Sequence, residues 1–320
     1  MIEPGAPASP PAGPAASSPP PPRAKSRTPI FFVGALSGCL LVFVGLIVFG
    51  VFIAASKSGE TTGDVFSTQK IAIIPIEGEI FEARDTLELL HRYEDNATVK
   101  AIVMRINSPG GAIAPSQEIY EAVRNARKPV VASLDSVAAS GGFYIAAGCD
   151  RIVANPGSIT GSIGVILEWM NTKDLVAWAK MKPEVITSGA LKAAGAPFLD
   201  LSDAERAYFQ SIVDQLHSQF VRAVAAGRKG KITEAEVAKL ADGRVFTGEQ
   251  ALSLKLVDEM GNLDDAVRAA AKLAGISGTP GTIYPRKKKP GLFDLLSDSA
   301  DSETALARIF SRRPRFLYRW

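Results

Sequence analysis

The sequence predicts an α/β domain, a mostly parallel sheet covered by helices, preceded by one N-terminal transmembrane helix. Three observations carry this. Residues 29–56, PIFFVGALSGCLLVFVGLIVFGVFIAAS, hold no charged side chain and exceed the ~20 apolar residues that cross a ~30 Å hydrocarbon core. From residue 70 onward, short apolar runs alternate with amphipathic segments, the rhythm of strands exchanging with helices in a parallel sheet. Beyond Asp200 the pattern turns helical, and capping boxes announce successive helix starts.

Residues 1–28 are rich in proline and alanine, with no apolar periodicity. They are expected to be a disordered cytoplasmic tail. Arg23, Lys25 and Arg27 precede the apolar run, whereas Lys57, Glu60 and Asp64 beyond it are mixed in sign. The positive-inside rule then puts the N-terminus in the cytoplasm and the remainder on the outer side. The run is about twice the ~7–15 apolar residues of a cleaved signal peptide, which favours an uncleaved anchor. Residues 57–69 read as a polar linker and 70–280 as the globular domain.

Within that domain KIAIIPIEGEI (70–80), KAIVMRI (100–106) and PVVASL (129–134) read as strands. DRIVANP (150–156), SIGVI (162–166) and PEVIT (183–187) follow as further strands. TLELLHRYEDN (86–96), SQEIYEAVRNAR (116–127) and TKDLVAWAK (172–180) read as helices, the second with Ile119, Ala122 and Val123 on one side. SDAE (202–205) opens a long helix carrying Phe209, Ile212, Val213, Leu216, Phe220 and Ala223 at helical spacing, and TEAE (233–236) and TGEQ (247–250) repeat the signal. Residues 281–320, with RKKK and the terminal SRRPRFLYRW, read as a flexible basic tail. As a hypothesis, that terminus reaches a neighbouring copy's groove as a self-substrate.

Composition excludes several function classes. The formal charge of +3 over 320 residues gives no basic face for nucleic acid. Two cysteines, Cys39 and Cys149, form neither a CxxC motif nor a disulfide framework, and no metal or cofactor motif is present.

Chemistry concentrates in two glycine turns, NSPGG (107–111) and ASGG (139–142), each following a predicted strand. In a parallel sheet both lie at the carboxyl ends, where sites form. Two exposed N–H groups from such turns can point at one oxygen and make an oxyanion hole. Ser140 would stand at a helix start among residues with almost no side chain, an accessible position for a nucleophile. A serine hydroxyl needs a base. The candidates are His91 and His217, both on predicted helices without a local motif, and Lys192, the only charged residue between Glu184 and Asp200. A lysine base must shed its proton near neutral pH, which burial and neighbouring cations favour.

Five segments, INSPGG, VAASGGFYIA, ITGSIGV, SGALK and GRVFTGEQALSLKLVDEMG, occur in this order. Together, over roughly residues 68–275, they resemble the S49 serine peptidases of the short signal-peptide-peptidase type. The resemblance implies a Clp/crotonase-like fold and a Ser–Lys dyad: Ser140 as nucleophile, Lys192 as general base, Ser162 orienting the lysine, and the N–H groups of Gly111 and Gly141 as oxyanion donors. The family pattern around the lysine is often SGxxKD followed by SPF. Ala193 and APF stand here, so the polar support of the lysine differs. The resemblance also implies a homo-oligomeric ring in which nucleophile and base come from neighbouring subunits.

The expected function is a membrane-anchored serine endopeptidase acting on cleaved signal peptides and other membrane-associated peptides. A Clp-type Ser–His–Asp peptidase would need a histidine about 25 residues after the nucleophile, where Val165 stands. A crotonase-like acyl-CoA enzyme lacks any sign of a CoA site. A non-catalytic scaffold predicts loss of the serine, the lysine or the glycine turns, and all are present.

Overall fold

The computed structural model describes Leu46, residues 69–285 and the backbone of strand 315–319. The chain divides into two units, 1–61 and 62–320. The sheet, its covering helices and the glycine turns all belong to the second unit. The expected anchor lies outside the described residues apart from Leu46, which is helical and exposed. Among the described residues no helix is long and apolar enough to cross a membrane.

The main sheet is built on β1 (Lys70–Glu77), β2 (Val99–Ser108), β4 (Val130–Ala139), β5 (Arg151–Ala154), β9 (Glu259–Met260) and β10 (Gly281–Ile283). Their spatial order is β10-β1-β2-β4-β5-β9, and every neighbouring pair is parallel. Alternation along the strands explains why they read as continuous apolar runs. Ile71, Ile73, Val103 and Val131 pack on one face against Ala266, Val267 and Ala270 of helix Leu263–Leu273. Ala72, Ile74, Ile102 and Met104 belong to the larger core on the other face. A parallel sheet covered on both sides demands apolar residues at every position. On that second face lie α1 (Arg84–Asp95), α2 (Ile113–Arg124), α3 (Gly141–Ala147) and the C-terminal part of α5 (Asp203–Gly227), which contributes Phe220 and Val224. The short helix α4 (Lys173–Trp178) precedes α5 and buries none of its residues.

Two short pairings complete the fold around the C-terminal end of β4. Strand β6 (Ile159–Gly161) runs parallel to the last residues of β4, and β8 (Val245–Thr247) pairs antiparallel with β6. A separate antiparallel sheet joins β3 (Gly110–Ala112), β11 (Arg315–Arg319) and β7 (Ile166–Glu168), with β11 in the middle. The capping boxes expected at Ser202, Thr233 and Thr247 all form.

Three sequence expectations need correction. Residues 183–187 form no strand: 181–190 are exposed and pair with no strand among the described residues. SIGVI is not one strand, because β6 ends before Ser162, whose φ of 52° turns the chain, and pairing resumes at Ile166. The tail is not unstructured from 281, since Gly281–Ile283 extends the main sheet and Arg315–Arg319 is a paired strand.

One buried ion cluster locks the end of α5 to the sheet. Arg228, 1% exposed, donates to both carboxylate oxygens of Asp258 at 2.8 Å and to Lys255 O at 3.1 Å. Asp258 also accepts the Ile152 N–H at 2.8 Å and pairs with Lys231. Burial works to raise the Asp258 carboxyl, but hydrogen bonds from Arg228 and Lys231 outweigh it and hold the group at about 2. Removing one partner leaves a buried charge, so Arg228→Ala is expected to cost about 3–5 kcal/mol in denaturant unfolding. The folded value lies below the ~3.9 of an unfolded aspartate. The stabilisation is therefore complete above about pH 5 and lost as pH falls toward 2. An acid-unfolding titration should show this loss in the parent and a flatter profile in Arg228→Ala.

Candidate active site

The site forms where β4 leaves the sheet. Ile106 of β2 pairs with Leu134, but Ser108 pairs with Ala138, so β4 is bulged between these positions. Past the bulge the strand is flanked by the NSPGG turn on one side and by β6 on the other. Asn107 Oδ1 accepts the Val137 N–H at 3.3 Å, and Thr160 donates its hydroxyl to Ala138 O at 2.7 Å. Ala139 pairs with Gly161, and the next residue, Ser140, donates its N–H to Gly161 O at 2.8 Å.

Ser140 has φ 53° and ψ −116° at the start of α3. A side-chain-bearing residue held at positive φ costs about 1–3 kcal/mol, and such strain gathers at functional sites. Contrary to the expectation of an accessible serine, Ser140 is 0% exposed. The close approach of β3 and β6 to the start of α3 encloses it. Its hydroxyl has no hydrogen-bond partner among the described residues.

The two glycines are required by this closeness. A Cβ on Gly141 would stand 3.2 Å from Gly111 N and 2.6 Å from Ser116 Oγ. A Cβ on Gly111 would stand 2.2 Å from Ile80 O. Gly110 O accepts the Ile80 N–H at 2.9 Å, and Ala112 N–H donates to Ile80 O at 2.7 Å. Alternation along β3 therefore turns the N–H and C=O of Gly111 to the side away from Ile80. The Gly111 N–H thus lies next to Gly141, the residue after Ser140. Were these two N–H groups to serve as oxyanion donors, displacing one would cost about 10²–10³ in kcat. Gly141→Ala is expected to show a loss of that order with little change in KM. Adding Ser116→Ala removes the nearest clash and should recover part of it.

Ser162 joins the cluster. It is buried, has φ 52°, and donates its N–H to Arg244 O at 2.8 Å one residue past the carbonyl that holds Ser140. Lys192 does not join it. Lys192 is an exposed turn residue within an excursion between β7 and α5. The excursion is closed at its base by Thr172, whose hydroxyl donates to Pro197 O at 3.0 Å, and by the Lys173–Asp200 ion pair. Its apolar side chains face solvent, with Trp178 81% and Ile186 100% exposed.

Neither histidine approaches Ser140. His91 is exposed on α1, and His217 Nε2 lies 2.7 Å from Ala241 O, a contact that ties α5 to the chain after helix α6 (Glu234–Leu240). Burial, reinforced by the Asp150 charge, pushes the Cys149 thiol well above its ordinary value, so it is not a thiolate nucleophile. Sequence reasoning missed Ser108 and Ser116. Both are fully buried, donating or accepting within the β3 turn: Gly110 N–H to Ser108 Oγ at 3.1 Å, and the Ser116 hydroxyl to Ala112 O at 2.9 Å. A signal existed for Ser116, a small polar residue on the same face as Ile119 and Val123.

A family model described as peptidase family S49 matches residues 122–277, and a Clp protease model matches residues 57–157. A Synechocystis sp. protein named as a protease, slr0021, is 42% identical over 65% of this chain and 76% of its own length. The chain belongs to peptidase family S49. A Methanocaldococcus jannaschii protein named as a protease, MJ0651, is 31% identical over 80% of this chain and 86% of its own. An Enterococcus faecium protein named as signal peptide peptidase SppA is 33% identical over 67% of this chain and 66% of its own. As an SppA-like S49 peptidase the protein is a serine protease, and its parallel-dominated α/β sheet agrees with a Clp/crotonase-like fold.

Proposed function

We propose that this S49 peptidase is a membrane-anchored endopeptidase in which Ser140 is activated by Lys192 of a neighbouring copy. The observation that carries the reading is a mismatch within one protomer. Ser140 is buried with a hydroxyl that has no partner among the described residues, while Lys192 stands exposed on a projecting segment. The burial that favours a neutral lysine amine is not supplied by its own chain. The exposed Met170, Leu175, Trp178, Met181 and Ile186 on the same segment form an apolar surface of the kind that seeks a protein partner. A homo-oligomeric ring would cover this surface and deliver the lysine to the next subunit's serine.

The reaction is acyl transfer. The neutral Lys192 amine takes the Ser140 hydroxyl proton as the oxygen attacks the peptide carbonyl. The Gly111 and Gly141 N–H groups receive the developing oxyanion. The lysine ammonium then gives its proton to the departing amine, leaving an acyl-serine. Water, deprotonated by the same lysine, releases the acid and restores the serine. Ser162, beside Ser140, is assigned to orient the incoming amine. No metal or cofactor takes part in these steps.

Residues 29–56 would anchor the protein in the lipid bilayer, N-terminus in the cytoplasm and site outside it. Substrates would be cleaved signal peptides and other membrane-associated peptides, in line with the name of the Enterococcus relative. Hydrolysis of casein and of a synthetic signal peptide by the full chain in detergent tests the base. Lys192→Ala should abolish turnover, with His91→Ala and His217→Ala retaining it. Turnover that survives Lys192→Ala and disappears in His217→Ala would reject the dyad.

A further inference from the structure

Strand β4 reaches the site by a detour. Between the pairs Ile106–Leu134 and Ser108–Ala138, β2 advances two residues while β4 advances four. Two extra residues are thus looped out of β4. Because two is even, the strand keeps its faces, yet everything beyond is drawn back by two strand steps, about 6–7 Å. This brings Ser140 to the level of the NSPGG turn, where a Cβ on Gly141 would stand 3.2 Å from Gly110 Cα and from Gly111 N. A bulge leaves ladder groups unpaired, and buried ones must find other partners. Here side chains supply them. Leu134 O accepts from Asn155 Nδ2 and from the Ser158 hydroxyl, each at 3.3 Å. Asp135 O accepts the same Ser158 hydroxyl at 2.6 Å, and Ala138 O accepts the Thr160 hydroxyl at 2.7 Å. All three donors belong to the run 155–160, which continues directly into Gly161, whose carbonyl accepts the Ser140 N–H. Ser158 is 1% exposed and Thr160 0%.

We infer that Ser158 and Thr160 are positioning residues for Ser140: their hydroxyls lock the β4 bulge and so set where the serine stands beside the Gly111 and Gly141 N–H groups. The inference rests on the peptidase reading, with Ser140 as nucleophile, and adds two residues that act through the backbone of β4. Ser158 holds the near side of the bulge and Thr160 the far side. Arg105 fastens its outer edge, with Nη1 donating to Ser133 Oγ at 2.9 Å and Nη2 paired with Asp135 Oδ1 at 2.8 Å. That ion pair is partly exposed to solvent, which weakens it, so the buried hydroxyls carry more of the hold. Acyl transfer is steep in distance: a misplacement of about 1 Å can cost about 10²-fold in rate. A bulge that slackens lets Ser140 slide along the strand direction, away from its donors.

The test measures, on the full chain in detergent, hydrolysis of a quenched fluorescent peptide and the rate at which an alkyl fluorophosphonate labels Ser140. Thr160→Val keeps the side chain's shape and deletes its hydroxyl. It should lower kcat about 10–100-fold and slow labelling by a similar factor, with KM within about twofold of the parent. Thr160→Ser returns the hydroxyl and should recover kcat to within about threefold. Ser158→Ala, smaller by one oxygen, carries the same expectation as Thr160→Val and decides the matter if that variant does not fold. Both act on one bulge, so the loss in the double variant should fall short of the product of the single losses. Parental kcat and labelling rate in Thr160→Val and Ser158→Ala, with only the melting temperature lowered, would overturn the inference. A parent that neither hydrolyses peptide nor takes the label would instead count against Ser140 as nucleophile. Crystal structures of Thr160→Val and Thr160→Ser would then still decide the hold on position 140. The Ser140 Cα should shift by about 0.5 Å or more in the valine form alone, and an unmoved Ser140 refutes the role of the hydroxyl.

Discussion

Ser140→Ala is expected to lower peptide hydrolysis by at least about 10⁴-fold while leaving the protein folded, and no less stable than the parent. Loss of a serine nucleophile that works as a unit with its base removes nearly all turnover, apart from what binding and the oxyanion donors sustain. The stability arm has a separate cause. The Ser140 hydroxyl is buried without a partner among the described residues, and deleting such a group stabilises by about 1 kcal/mol. Ser140→Gly goes further, since glycine adopts φ 53° without steric cost. A rise in melting temperature in the order parent, alanine, glycine, with both variants inactive, would mark position 140 as strained for function. A large fall in stability for Ser140→Gly would assign the serine a structural role.

Lys192→Ala is expected to lower kcat by about 10³–10⁴-fold with no loss of protomer stability. The side chain is exposed on its own chain, so deleting it removes no packing. Lys192→Arg should fail to rescue, because a guanidinium stays charged and cannot accept the serine proton. The two variants thus differ in their stability signatures: position 140 sits in the core at strained φ, position 192 on an exposed segment. Unfolding monitored beside single-turnover kinetics separates them. Substantial activity in Lys192→Arg would remove the lysine from the role of base.

Much of this was legible in the sequence, for identifiable reasons. β1, β2 and β4 announced themselves because a sheet covered on both faces requires unbroken apolar runs. The helix starts at Ser202, Thr233 and Thr247 were readable because capping boxes are local. The glycine turns beside Ser140 were readable because close backbone approach tolerates little else. PEVIT misled because its β-branched residues favour a strand, yet it pairs with no strand among the described residues, and propensity alone does not form one. The burial of Ser140 was not readable, since it depends on how closely β3 and β6 approach α3. Arg228 stands in the charge-rich stretch GRKGK and looks solvated. Only its pairing with Asp258, thirty residues on, buries it. The strand at 315–319 was equally hidden, because both its partners lie about 150 or more residues earlier.

Co-assembly of two inactive variants tests the central claim, a site shared between copies, most directly. Ser140→Ala and Lys192→Ala chains carrying different affinity tags are co-expressed, and assemblies holding both are isolated. The Lys192→Ala chain keeps its serine and the Ser140→Ala chain keeps its lysine, so a site shared between subunits is restored wherever the two meet in the right order. Random placement around a ring should return about a quarter of parental activity. Mixed assemblies as inactive as either variant alone would contradict the account, because serine and lysine would then have to come from one protomer.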